Sequence, residues 1–489
     1  MTEEALIKER LKKLEAIRKL GINPYPYKFP VNGKAAELKK EYERLKEGEK
    51  SEEIYSVAGR VMSLRIMGGA SFGHIEDFSG RIQFYIKKDE GKKQYKLLGL
   101  LDIGDIIGVE GPIFKTKTGE VTIWTKKLVL LAKGLRPLPE KWHGLKDPEI
   151  RYRQRYLDLI MNRDVKERFV KRTQIINAVR EFLNLQGFHE VETPILQTAY
   201  GGAAAEPFIT HLNALDMDLF LSISPELYLK RLLIGGYEKV YTICKNFRNE
   251  GIDRTHNPEF TMMECYQAYA DYEDMMKLTE EMIEYVVKKI NDGKTKVRYG
   301  DYNLDFKTPW KRMHMATAIK KLTKVDVNKL NDNELKNIAA EMGVQFERNA
   351  SRDEIVDEIF QQKVQEHLIQ PTFITDYPKS ICPLTKAHRK NPALAERFEG
   401  FVCGMELANA YSELNDPIEQ RKRFEEQEKK RKKGKKEVYP ADYDFITALE
   451  YGMPPTGGLG IGIDRLVMVL TNAPSIREVI FFPLLKPKK

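Results

Sequence analysis

The chain has 489 residues, more than one compact domain holds, so two or three domains are expected. Hydrophobic residues make up 42% and charged residues 31%, the balance of a globular protein, and no uninterrupted apolar run is long enough to cross a bilayer. The formal net charge of +9, from 81 Lys+Arg against 72 Asp+Glu, is a mild basic excess that permits a polyanionic partner such as RNA without requiring one.

The start, Met1-Thr2-Glu3-Glu4, is acidic and leads into a charged helical pattern rather than a signal peptide. Leu6, Ile7, Leu11, Leu14, Ile17 and Leu20 recur at helical spacing until Gly21 stops the run. Pro24, Pro26 and Pro30 break the chain before a second charged helix near Ala35 to Glu47. From about Ser51 the period changes to two. Strands are expected from Val57, over Phe72 to Glu76, over Arg81 to Ile86, over Ile106 to Gly111 and over Val121 to Trp124, with glycine turns between them. Such a run suggests a small closed barrel, an OB-fold being the natural candidate, although an SH3-like barrel shows a similar period. Barrels of this size bind single-stranded nucleic acid by stacking bases on aromatic rings.

Leu135-Arg136-Pro137-Leu138-Pro139 reads as an interdomain link, because two prolines fit neither a helix interior nor a central strand. The expected division is a helical segment over 1–50, a barrel over 51–137 and a larger domain over 138–489, with a mostly helical insertion over 275–370. The lysine-rich stretch Lys429 to Lys436 reads as a solvated helix end or loop. Cys244, Cys265, Cys382 and Cys403 are scattered and form no Cys-x-x-Cys pair, so neither a zinc site nor a disulfide framework is expected and a reducing cytoplasm fits.

Three segments of the large domain carry chemistry. Gly187-Phe188-His189-Glu190-Val191-Glu192-Thr193-Pro194 follows an amphipathic helix near Arg172 to Leu185. Phe247-Arg248-Asn249-Glu250, a polar loop, and then His256-Asn257-Pro258-Glu259-Phe260-Thr261-Met262-Met263-Glu264 form the second. If these flanks are strands, Arg248 shares a face with Glu250, and Phe260, Met262, Glu264 and Tyr266 share another. A charged inner face on a hairpin awaits a ligand or a partner charge, because unpaired buried ions are costly. The third is Gly457-Gly458-Leu459-Gly460-Ile461-Gly462-Ile463-Asp464-Arg465 before an apolar helix. Its glycines allow close approach of a phosphate or simply tight helix–sheet packing, and their spacing fits neither a P-loop nor a dinucleotide fingerprint.

In this order the three segments resemble the three motifs of class II aminoacyl-tRNA synthetases. Arg151-Tyr152-Arg153-Gln154-Arg155-Tyr156-Leu157-Asp158-Leu159, Ser224-Pro225-Glu226-Leu227-Tyr228-Leu229 and Asn409-Ala410-Tyr411-Ser412-Glu413-Leu414-Asn415-Asp416 extend the resemblance, with the barrel, to the class II lysyl-tRNA synthetases. It implies an α+β fold: an antiparallel-sheet catalytic domain with helices, preceded by an N-terminal OB-fold barrel. It implies a ligase using lysine, ATP, Mg²⁺ and tRNA, and a homodimer with motif one at the interface.

By the same resemblance Arg248 neutralises the α-phosphate, Phe260 stacks on adenine and Arg465 lies over the other ring face near the γ-phosphate. Glu250, His256 and Asn257 orient ATP, while Glu399 and Glu406 hold Mg²⁺. The lysine pocket falls on Gly202, Glu226, Glu264, Tyr266, Asn409, Tyr411 and Glu413. Its three carboxylates suit a long cation with two ammonium groups. Asn409, Tyr411 and Glu413 alternate on one strand face, whereas Glu406 has the opposite parity and needs a bulge or bend near Gly404. Anticodon reading falls on Phe72, Gln83 and Glu120.

Two departures stand out: Glu206 occupies a position usually basic in the family, and the basic run near Lys435 lies where relatives tend to be acidic. An enzyme attaching lysine to a protein resembles only the catalytic domain, and the barrel argues against it. A non-catalytic RNA-binding relative is disfavoured by the presence of Arg248, Glu399, Glu406 and Arg465. Aspartyl- or asparaginyl-tRNA synthetases share the architecture but not the acidic pocket.

Overall fold

The computed structural model describes residues 2–88, 92–139, 145–432 and 441–487, and its contacts divide the chain into two compact units, Met1–Gly144 and Leu145–Lys489. Among the described residues no helix is long and apolar enough to cross a membrane.

The first unit opens with α1 (Glu3–Lys19), whose N-terminus is capped by Thr2 and carries Glu3 and Glu4, with Arg18 and Lys19 in the last turn. That charge order opposes the helix dipole at both ends. The second helix, α2 (Ala35–Glu41), stops short of Glu47, because Tyr42 and Leu45 turn back to pack on the barrel core. Six strands follow: β1 (Lys50–Ile66), β2 (Ala70–Glu76), β3 (Arg81–Lys87), β4 (Ile106–Lys115), β5 (Val121–Trp124) and β6 (Lys127–Ala132), with α3 (Lys92–Leu98) between β3 and β4. Their order, β1-β2-β3-β5-β4-β6 with β1 also paired to β4, closes a five-stranded ring to which β6 is added. The long β1 serves both ends of the ring by a register shift between Val61 and Ser63. Val57, Val61, Ile75, Ile82, Phe84, Ile107, Val109, Ile113 and Ile123 fill the interior. This closed ring is the OB-fold arrangement rather than the SH3-like one.

The second unit begins with α4 (Pro148–Arg153), α5 (Arg155–Met161) and the long α6 (Arg163–Leu185), then β7 (His189–Glu190) and a small sheet of β8 (Leu196–Gln197), β9 (Ile209–Leu212) and β10 (Met217–Leu221). Next come α7 (Glu226–Ile234), β11 (Lys239–Phe247), β12 (Glu259–Ala268) and α8 (Tyr272–Ile290). The segment after α8 holds the hairpin β13 (Lys296–Tyr299) and β14 (Tyr302–Asp305), then β15 (Lys311–His314) and the helices α9 (Met315–Thr323), α10 (Asp332–Glu341) and α11 (Arg352–Lys363) around their own apolar core. The chain continues with β16 (Thr372–Pro378), β17 (Leu394–Val402), β18 (Met405–Ser412), α12 (Pro417–Lys432), α13 (Tyr443–Glu450), β19 (Thr456–Gly462) and α14 (Ile463–Leu470). Residues 433–436 of the lysine-rich stretch lie outside the described residues.

The main sheet has eight strands in the order β15-β16-β17-β18-β19-β12-β11-β7. Its interior pairs are antiparallel, and a parallel strand closes each edge. Strand alternation splits its two faces. Tyr241, Met263, Cys265, Ala408, Ala410, Leu459 and Ile461 pack against α6, α8 and α14 and form the main core. The larger apolar side chains among them, such as Met263, Leu459 and Ile461, each contribute roughly 2 kcal/mol. Their neighbours Met262, Glu264, Tyr266, Asn409, Tyr411, Gly458 and Gly460 line a cavity on the other face.

Candidate active site

The cavity encloses about 350 Å³. One half is built from the loop between β11 and β12 and from the start of α14. Arg248 and Glu250 do not reach it by strand alternation, because β11 ends at Phe247; the loop delivers them, anchored where Arg248 N donates to Pro258 O at 2.9 Å. The Arg248 guanidinium lies 5.1 Å from the Phe260 ring, and its Nε is buried without a hydrogen-bond partner. An arginine so placed is set to receive an anion. Arg465 donates to Glu406 O at 2.8 Å and meets His256 Nε2 at 2.9 Å. His256 Nδ1 sits 2.8 Å from Asp253; burial works against that carboxylate, but bonds from Thr255 and His256 hold it down at about 2. Asn257 lines the same wall, with its Oδ1 buried and unpartnered.

Glu399 and Glu406 both face the cavity. The parity problem is solved by a bulge: Gly400 pairs with Ala408 and Phe401 with Glu406, so Leu407 is the extra residue that turns Glu406 inward. The bulge is therefore at Leu407, not Gly404, which serves the β17–β18 turn with φ +71°. Beside Glu399 stands Arg397, half-buried, with the ring of Tyr377 at 4.5 Å and that of Tyr411 at 5.6 Å, and bonded to Glu399 and Asn409.

The other half is acidic. Glu264 accepts from Ser224 Oγ at 2.9 Å and from Tyr266 OH at 3.1 Å. Burial, reinforced by the charge of Glu226, pushes Glu264 up to about 7. Glu226 is raised by burial, which Lys230 partly offsets. Gly202, with φ +85°, brings its backbone against this corner; a Cβ there would meet Glu226 Cβ and Ser224 Oγ at 2.9 Å. Glu413 is placed differently from the expectation: it does not line the cavity but lies beneath it, fully buried, with Lys230 Nζ 2.5 Å away. Gly458, which lines the cavity, lies directly against it, since a Cβ at that position would come within 2.0 Å of Glu413 Oε1. Burial pushes Glu413 up to about 8 against the pull of Lys230.

Sequence reasoning missed Lys230, Arg397 and Ser224. Lys230 stands four residues after Glu226 on α7, the spacing of a helical Glu–Lys pair, and Arg397 two residues before Glu399 on one strand face, so both left a signal. Glu206 is exposed and touches the site loop only through its backbone, where Asn249 N donates to its carbonyl at 2.7 Å.

On the barrel, Gln83 Nε2 donates to Glu120 Oε2 at 2.8 Å and Thr122 donates to Gln83 Oε1 at 2.8 Å. His74, which the sequence reading overlooked, meets Glu120 Oε1 at 2.8 Å and Ser63 at 2.8 Å. Phe72 shares the His74 face of β2 and packs on Tyr85 with ring centroids 4.9 Å apart.

A model of class II tRNA synthetases (D, K and N) matches residues 147–486, and one of the OB-fold nucleic acid binding domain matches residues 55–131. The chain belongs to the class II tRNA synthetases and is a ligase. Within that class it is 54% identical over 485 residues to the lysine–tRNA ligase of Carboxydothermus hydrogenoformans, covering 99% of this chain and 98% of that protein. The lysine–tRNA ligase of Thermoanaerobacter pseudethanolicus is 54% identical over 492 residues, 100% of this chain and 97% of that protein. That of Clostridium novyi is 54% identical over 491 residues, 99% and 95% respectively.

Proposed function

We propose that this chain is a lysine–tRNA ligase. The lysine carboxylate attacks the α-phosphorus of ATP, pyrophosphate leaves, and the lysyl group then passes from the adenylate to the tRNA 3′-hydroxyl with release of AMP. The observation that carries the choice of amino acid is the acidic corner: Glu226 and Glu264 line the cavity and Glu413 lies buried beneath it, while Arg248 and Arg465 line the same cavity. A substrate with a carboxylate at one end and a distant ammonium fits that polarity. An aspartate-selecting site needs basic groups where these acids stand.

Arg248 offers its guanidinium to the α-phosphate, so the site works by positioning and charge, with no protein nucleophile. Phe260 supplies a stacking surface for adenine with Arg465 over its other face and near the γ-phosphate, and Glu250, His256 and Asn257 orient the ATP. Gly202, Tyr266, Asn409 and Tyr411 complete the lysine pocket.

Glu399 and Glu406 fit a Mg²⁺ ion. No group of three or more His, Cys, Asp or Glu is set to hold a metal among the described residues, and two carboxylates plus substrate phosphates is how this ion is usually held. When bound it neutralises phosphate charge. Phe72, Gln83 and Glu120, with His74, suit single-stranded bases and so the anticodon. The exposed Ile195, Leu196 and Ile209 around the small sheet after motif one support a homodimer interface. Four unpaired cysteines fit the cytoplasm.

Pyrophosphate exchange into ATP, run with each of the twenty amino acids and Mg²⁺, tests this reading. Exchange with lysine is expected. Exchange driven by another amino acid, with lysine inert, would overturn it.

A further inference from the structure

The acidic corner contains a cation of its own. Lys230 is fully buried, and its Nζ lies 2.5 Å from Glu226 Oε1 and 2.5 Å from Glu413 Oε2. It does not line the cavity, and none of the roles above uses it. Helix α7 sets it one turn beyond Glu226, from where it crosses to Glu413 just after β18.

We propose that Lys230 is a positioning residue for amino-acid selection: its ammonium fixes Glu226 and Glu413 as the paired floor of the pocket and leaves two carboxylate charges for the substrate's two ammonium groups. This rests on the lysine reading above. Three carboxylates against one ammonium leave two charges unbalanced, and free lysine brings two ammonium groups, with its carboxylate toward Arg248. A substrate with fewer positive charges leaves a buried carboxylate unpaired, which is costly.

The charged and titratable groups facing this pair are few. Glu226 shares its helix, Glu264 and Tyr266 come from β12, Glu413 follows β18, and Arg248 acts on Glu264. From α13 the nearest contact is the Phe445 ring at 6.0 Å, while Asp442 and Asp444 engage Arg231. Without Lys230, Glu226 and Glu413 become two like charges out of water, and the proton that burial already favours on this pair is held to higher pH. That proton then competes with the substrate ammonium. Raising the pH removes it.

The test compares Lys230→Met, Lys230→Arg and the unchanged protein in lysine-dependent pyrophosphate exchange from about pH 7 to 9. Lys230→Met is expected to raise the KM for lysine about tenfold or more near pH 7, with the deficit shrinking as pH rises and the KM for ATP unchanged. Lys230→Arg keeps the cation and is expected to hold the unperturbed pH profile. A lysine KM within about twofold of the unchanged protein, or one raised by the same factor at every pH, would overturn the proposal. An equal rise in the KM for ATP would overturn it too, as the mark of a packing role. Should Lys230→Met fail to fold, Lys230→Arg decides: a near-normal lysine KM supports the charge role, and a raised KM on an unshifted pH profile overturns it. If the unchanged protein exchanges with an amino acid other than lysine, the lysine reading falls by itself, whatever Lys230 does.

Discussion

Arg248 reaches the cavity with a buried, unpartnered Nε, 5.1 Å from Phe260. In the proposed reaction its charge meets the phosphate where negative charge develops, and a single pre-set donor of this kind is worth about 10²–10³-fold in rate. Arg248→Ala should therefore lower lysine-dependent exchange by about that factor while the melting transition stays put. Near-normal exchange by the variant would remove Arg248 from the reaction. A second consequence follows from the acids. Burial holds Glu264 up at about 7 and Glu413 at about 8, so the empty pocket carries protons near neutrality. A lysine ammonium requires those carboxylates ionised, and binding expels the protons. The KM for lysine should accordingly fall as pH rises through this window and climb below it, by up to about tenfold per pH unit for each proton displaced. Measured KM for lysine against pH checks the sign, and a flat profile would contradict it.

Strand alternation made most of the active-site sheet legible before any coordinates. Phe260, Met262, Glu264 and Tyr266 do share the cavity face of β12, because period two is a property of the extended chain. What failed was wherever local geometry departed from that period. The Leu407 bulge has no sequence mark, since any residue tolerates it, and the glycine at 404 drew the expectation to the turn instead. Arg248 and Glu250 read as a polar loop, and β11 does end at Phe247, so their shared face is set by the loop and not by strand alternation. Glu413 kept its strand parity with Tyr411, yet it lies beneath Gly458, a depth no spacing rule conveys. The barrel shows the same division: the strands were readable, but the Ser63–His74–Glu120–Gln83–Thr122 chain of bonds joins four segments and needed the fold. In that element Phe72 offers the ring and the bonded polar groups offer edges. Phe72→Ala should raise the KM for tRNA while leaving pyrophosphate exchange untouched, since base stacking contributes about 1–3 kcal/mol. Equal loss in both assays would instead mark Phe72 as part of the barrel's packing.

At the scale of the whole chain, each unit has a core of its own: Val57, Phe84 and Ile113 lie in the first, Met263, Leu459 and Val467 in the second. The cavity belongs to the second unit and the groups proposed to read bases to the first. In the proposed reaction adenylate formation needs the one, and choice of tRNA needs the other. The composition had only permitted an RNA partner; its assignment came from the barrel and from the family to which the chain belongs. The most direct test is transfer itself: the intact protein with ATP and Mg²⁺, offered each radiolabelled amino acid in turn with a tRNA whose anticodon reads lysine codons. Acid-precipitable label on that tRNA from lysine, and none when the anticodon is exchanged for another, is the predicted result. Label from a different amino acid, or lysyl-adenylate that never reaches the tRNA, would contradict it.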